Sequence, residues 1–224
     1  FFICLFGGIC LLDKRITTNI NFGLALIFIS AIVGVFIVCL VMHNGGLKTL
    51  KPDFALDGNN EFVQILGIIS MSPWAFIGFE SISNSSKDLK FKHKNVFKVL
   101  FVSVVLTTLI YILMCQISIS VFPSEYENWY EYLNDTSSLS GLNAIPAFYV
   151  ATKYMGFAGK IIFIIALLAI IMTSLIGNMY GLSHLLHSMA EDEALPHILA
   201  KNNKKDNPVN AIIFIVIVSC LITF

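Results

Sequence analysis

Ser70-Met71-Ser72-Pro73-Trp74-Ala75-Phe76-Ile77-Gly78-Phe79-Glu80 lies inside an apolar run from 61 to 82 and carries its own interruption. The run is long enough to cross a bilayer core of about 30 Å as a helix, which takes roughly 20 residues. Pro73 has no backbone N–H and clashes with the turn before it, so the Ile69 carbonyl loses its helical donor. Five residues on, Gly78 lifts the side-chain restriction on the backbone. In lipid, freed backbone groups are tolerated only where protein, water or a ligand satisfies them. The interruption therefore reads either as the lining of a binding cavity or as a simple proline kink.

Outward from this stretch the same texture recurs, with further spans at about 1 to 12, 20 to 43, 96 to 122, 158 to 188 and 209 to 224. The composition agrees, at 57% hydrophobic and 12% charged over 224 residues, against roughly 25% charged in a soluble domain. Barrel strands would alternate apolar and polar residues, and these runs do not. The expected fold class is all-α, a polytopic transmembrane helical bundle forming a single transmembrane domain over 1 to 224. Lys plus Arg and Asp plus Glu both number 14, so there is no basic excess for nucleic acid and the partner is the lipid bilayer. Cys4, Cys10, Cys39, Cys115 and Cys220 all sit in apolar runs and read as free, buried thiols. Both ends fall within apolar runs, at Phe1 and Phe224, so the chain is expected to be a fragment.

Counting Lys and Arg on alternate sides orients the spans. Lys14, Arg15, Lys87, Lys90, Lys92, Lys94, Lys98, Lys201, Lys204 and Lys205 fall on one side, and Lys48, Lys51, Lys153 and Lys160 on the other. Ten against four places loops 83–95 and 191–208 in the cytoplasm and loops 44–60 and 123–157 outside. Within the last of these, Pro146 opens an amphipathic stretch that predicts a short outer-face helix at about 143–155, readable as a lid or as an ordinary solvated loop with interfacial aromatics.

Glu80 is, past the opening residue of its span, the one acidic side chain in any of these runs. A carboxyl at that depth is a functional-site candidate, able to take up and release a proton as water access changes. It could equally snorkel to the inner interface. Helical rise would put it about 9 Å below Trp74, whose flat face could stack on a substrate or pack between helices. Thr173, Ser174, Gly177, Asn178 and Gly181 form a small, polar face in the fifth span, suited to close helix packing. Thr173 and Ser174 could alternatively ligate sodium with freed carbonyls of a broken helix. Thr107, Thr108, Gln116 and Ser118 read as interhelical hydrogen-bonding groups. His184 and His187 stand near the inner interface and at that spacing do not make a metal site. There is no phosphate-binding glycine loop, Cys-x-x-Cys, His-Glu-x-x-His or Gly-x-Ser-x-Gly, so no cofactor, no metal and no enzymatic activity are expected.

Ser72-Pro73-Trp74-Ala75-Phe76-Ile77-Gly78-Phe79-Glu80-Ser81 resembles the sixth helix of the amino acid-polyamine-organocation (APC) family of permeases. Ser183-His184-Leu185-Leu186-His187-Ser188-Met189-Ala190-Glu191-Asp192-Glu193-Ala194-Leu195-Pro196, with Asn207-Pro208-Val209-Asn210-Ala211, resembles the end of the family's eighth helix and the loop into the ninth. The resemblance implies a partial LeuT-type inverted-repeat fold, running from the end of the fourth helix to the start of the ninth. It also implies that Trp74 is the aromatic gate and that the backbone from Trp74 through Ala75 and Phe76 to Ile77 binds the substrate amino group. Pro73 and Gly78 would then make the helix break, Glu80 would be the coupling carboxylate, and Asn178 would face the substrate pocket. Ser174 falls where sodium-coupled relatives place an ion-binding hydroxyl. Residues 16 to 47 contain no Lys or Arg, so the lysine that replaces sodium in some proton-coupled relatives is missing. The family's usual arginine is replaced by His184.

The function implied is secondary active transport of amino acids across the plasma membrane by alternating access, with the proton as coupling ion or by exchange. A sodium-coupled permease and a transporter-like amino acid receptor are the alternatives. A channel would show no saturation by amino acids, and an intramembrane enzyme would need at least two convergent polar groups.

Overall fold

The structure is a computed structural model and describes residues 2–12, 14–42, 61–78, 95–127, 129–203 and 207–223. Seven α-helices follow in chain order: α1 Phe2–Cys10, α2 Lys14–Met42, α3 Glu61–Ala75, α4 Val96–Ser120, α5 Trp129–Asp135, α6 Pro146–Glu191 and α7 Val209–Thr223. Short 3-10 turns cover Gly141–Ala144 and His197–Ala200. No strand occurs among the described residues. The chain is all-α, a membrane helical bundle.

Three segments, Arg15–Met42, Val96–Ser120 and Pro146–Glu191, are long and apolar enough to cross a membrane. At 1.5 Å per residue, the 25 residues of α4 reach roughly 38 Å, beyond the hydrocarbon core. Ile117 is its one fully buried side chain, while Phe97, Phe101 and Leu109 are exposed. A helix apolar on every face is stable in lipid and not in water. Thr108 and Ser118 donate to the carbonyls of Val104 and Met114, each at 2.8 Å. For these two the expected bonds between helices are replaced by bonds within one, because a carbonyl four residues back is in reach, while Gln116 Oε1 is buried with no partner among the described residues. Cys10 and Cys39 are buried, but Cys115 is exposed, which corrects the reading of uniformly buried thiols: an apolar helix in lipid need not hide its cysteines inside protein.

The chain forms two compact units. One comprises Phe1–Leu26, Gly78–Ser103 and Leu168–Phe224. Its core is Phe6, Cys10, Ile176, Met179 and Ile212. Gly7 meets Val216 so closely that a Cβ there would overlap the valine methyl, the close approach by which helices pack without a hydrophobic drive. The end of α1 is tied by side chains: Thr17 Oγ1 donates to the Ile9 carbonyl at 2.9 Å and Asn207 Nδ2 to the Leu12 carbonyl at 2.6 Å. The Ile9 carbonyl also accepts the Leu12 N–H at 3.0 Å, so the threonine adds a second bond to it.

The other unit comprises Ile27–Ile77 and Val104–Leu167. Its core joins Ile32, Val35 and Cys39 of α2, Ile117 of α4, and Ala147, Phe148, Val150, Ala151 and Phe163 of α6. Pro146 opens α6, where its missing N–H costs nothing. Gly156, at φ 57° and ψ −134°, breaks that helix between Met155 and Phe157 in a conformation closed to residues with a Cβ. The chain turns so tightly that a Cβ on Gly159 would collide with the Ala151 carbonyl. Val150 and Ala151, before the break, are wholly buried in this unit's core.

Candidate functional site: the interrupted third helix

In the second unit α3 ends at Ala75, and Phe76 and Ile77 lie in the turn that follows. Two causes act together. Pro73 removes the donor that would have met the Ile69 carbonyl, and Gly78 takes φ 105°, which glycine adopts without steric cost. Because the helix does not run through 75–80, the helical distance of about 9 Å between Trp74 and Glu80 does not apply. Glu80 itself lies outside the described residues.

The freed carbonyls find specific donors. Ser72 Oγ donates to the Ile69 carbonyl at 2.8 Å, and the Phe76 N–H donates to the Pro73 carbonyl at 3.2 Å. Across from α4, the Tyr111 hydroxyl donates to the Ala75 carbonyl at 2.5 Å. The Tyr111 ring also meets Phe76 edge to face, with centroids 5.9 Å apart and planes at 86°. Trp74 and Ile77 remain 75% and 67% exposed, so the break presents an aromatic face and polar backbone side by side.

The first unit holds the other candidates. Asn178 Nδ2 lies 3.3 Å from Ser174 Oγ, one turn back on α6. The neighbouring Thr173 Oγ1 is buried with no hydrogen-bond partner among the described residues. A cleft of about 330 Å³ in the same unit is lined by Thr17, Asn21, Phe22, Ile176, Gly177 and Tyr180 among others, and not by Thr173, Ser174 or Asn178. Toward the end of α6, the His184 and Tyr180 rings lie 4.4 Å apart and tilted by 50°, and His187 Nε2 lies 3.3 Å from Glu191 Oε1. No cluster of metal-ligating residues occurs among the described residues. Trp74, Ala75, Phe76 and Ile77 thus share one unit with Tyr111, and Thr173, Ser174 and Asn178 share the other.

A family model described as amino acid permease matches residues 1–224. The chain belongs to the amino acid permease family. No curated protein and no solved structure matches it. The family is one of amino acid transporters rather than enzymes, so this permease is a membrane protein whose substrate class is amino acids. Sequence reasoning missed Tyr111, although a signal existed: it is a tyrosine in the middle of an aliphatic span, where the hydroxyl must find a partner. The part of Ser72 was equally hidden, because serine in a membrane helix bonds to its own backbone in many settings.

Proposed function

We propose that this permease is a secondary active transporter that moves amino acids across the plasma membrane by alternating access. The observation that carries the reading is the opening of α3 between Pro73 and Gly78, with exposed Trp74 beside it. A helix broken at depth presents backbone carbonyls to a cation and amide hydrogens to an anion, the polar ends of an amino acid. In this reading the backbone from Trp74 to Ile77 holds the substrate ammonium and Trp74 covers it. The fold is of the LeuT type, with loops 83–95 and 191–208 cytoplasmic and loops 44–60 and 123–157 outside.

Glu80 is the coupling carboxylate and the proton the coupling ion, by symport or in exchange. Support for the proton is the solitary position of Glu80 among apolar residues. Sodium is the competing ion, favoured by the unpartnered hydroxyl of Thr173 next to Ser174. Uptake of labelled amino acids into proteoliposomes, under an imposed proton gradient and then a sodium gradient, separates them. Proton-driven uptake that is lost in Glu80→Gln supports the assignment. An unchanged rate and pH profile in that variant removes Glu80 from coupling, and uptake driven by sodium alone moves the ion site to Thr173 and Ser174.

A further inference from the structure

We propose that Tyr111 is a positioning residue of the amino acid site, holding the opened end of α3 in the geometry that receives the substrate ammonium. The inference rests on the reading of that break as the substrate site. Ala75 is the last helical residue, so its carbonyl belongs to the turn that no longer has donors from its own helix. The Tyr111 hydroxyl supplies one donor to it, and the Tyr111 ring meets Phe76, the next residue along. A hydrogen bond and an edge-to-face contact on consecutive residues fix both the direction of the carbonyl and the path of the chain leaving it.

A carbonyl oxygen has two lone pairs, and Tyr111 occupies one direction. In this proposal the second direction receives the ammonium, and the carbonyl's orientation is set before the substrate arrives. Preorganisation of this kind appears in affinity, because the cost of ordering the loop has been met in folding. The contact also stands apart from the interior packing of its unit. Tyr111 is 42% exposed, whereas the core runs through Ile117, Phe148 and Phe163. Removing its hydroxyl should therefore change the site more than the stability of the fold.

The test uses the intact permease in proteoliposomes. Each of the common labelled L-amino acids is offered singly, and the best-transported one is used to measure KM and maximal rate for wild type, Tyr111→Phe, Tyr111→Leu and Trp74→Ala. Tyr111→Phe keeps the ring and loses only the donor. It is expected to raise KM about tenfold, the effect of one lost hydrogen bond, with maximal rate and detergent melting temperature near wild type. Tyr111→Leu, which also loses the ring, should raise KM further. Wild-type KM in Tyr111→Phe with a raised KM in Trp74→Ala overturns the role of Tyr111 and leaves the site reading standing. Wild-type KM in all the variants overturns both. A lowered melting temperature with unchanged KM makes Tyr111 structural and overturns the inference. If Tyr111→Phe does not accumulate in the membrane, Phe76→Leu tests the ring contact: a raised KM supports the inference and an unchanged one overturns it.

Discussion

Ser72 Oγ donates at 2.8 Å to the Ile69 carbonyl, the one carbonyl that Pro73 deprives of its backbone donor. The serine sits immediately before the proline, so the break and its repair are encoded in adjacent residues. Ser72→Ala should leave that carbonyl unsatisfied and destabilise the protein by about 1 kcal/mol. In a Pro73→Ala background the N–H of residue 73 returns and the loss should shrink toward zero. Melting temperatures in detergent for the two singles and the double variant measure this coupling. Equal losses in both backgrounds would show that Ser72 does not compensate for Pro73.

The bend of α6 should be equally sensitive to one methyl group. Gly156→Ala places a Cβ at φ 57°, ψ −134° and should cost about 1–3 kcal/mol. Gly159→Ala, facing the Ala151 carbonyl, should cost a similar amount by overpacking, about 1–3 kcal/mol. Gly34→Ala in α2 meets open space and should cause no loss. Thermal unfolding of the three variants tests the contrast, and three equal effects would refute it.

Outside the membrane-spanning segments, the Tyr126 hydroxyl donates to Asp135 Oδ2 at 2.6 Å. That bond and the neighbouring negative charge push the phenol up to about 12, while hydrogen bonds from Ser138 and Tyr126 hold the Asp135 carboxyl below its ordinary value. The raised phenol contributes order below its usual value of 10.0 and loses it as pH rises through about 12. The lowered carboxyl contributes above its usual 3.8 and loses that contribution as pH falls through its depressed value. Phenolate absorbance, taken as the difference between wild type and Tyr126→Phe, should therefore titrate near 12. Asp135→Asn should return the midpoint toward 10.0. A wild-type midpoint at the ordinary value would dissolve the pair.

The fold class was legible because lipid allows so few solutions. Apolar runs of this length with no alternating strands leave helices as the only structure that satisfies its own backbone, and the family match over the whole chain agrees with the resemblance carried by residues 72–81 and 183–196. Of the candidate site, the residues that act on the end of α3 were legible and their partners were not. Pro73 and Gly78 act on their own backbone, so their effect can be read where they stand. Tyr111 acts on Ala75 at a separation of 36 residues, and no local pattern links the two.

The amino-acid sequence by itself determined a membrane-embedded helical bundle and membership of a transporter family. These follow from hydropathy and motif, both of which are local. The tertiary structure alone decided which group answers the Ala75 carbonyl, that Ala147, Phe148, Val150 and Ala151 are buried in the core, and that α6 bends at Gly156. Such features depend on which helices lie side by side, and in a chain apolar on nearly every face, periodicity does not distinguish the face that meets protein from the face that meets lipid.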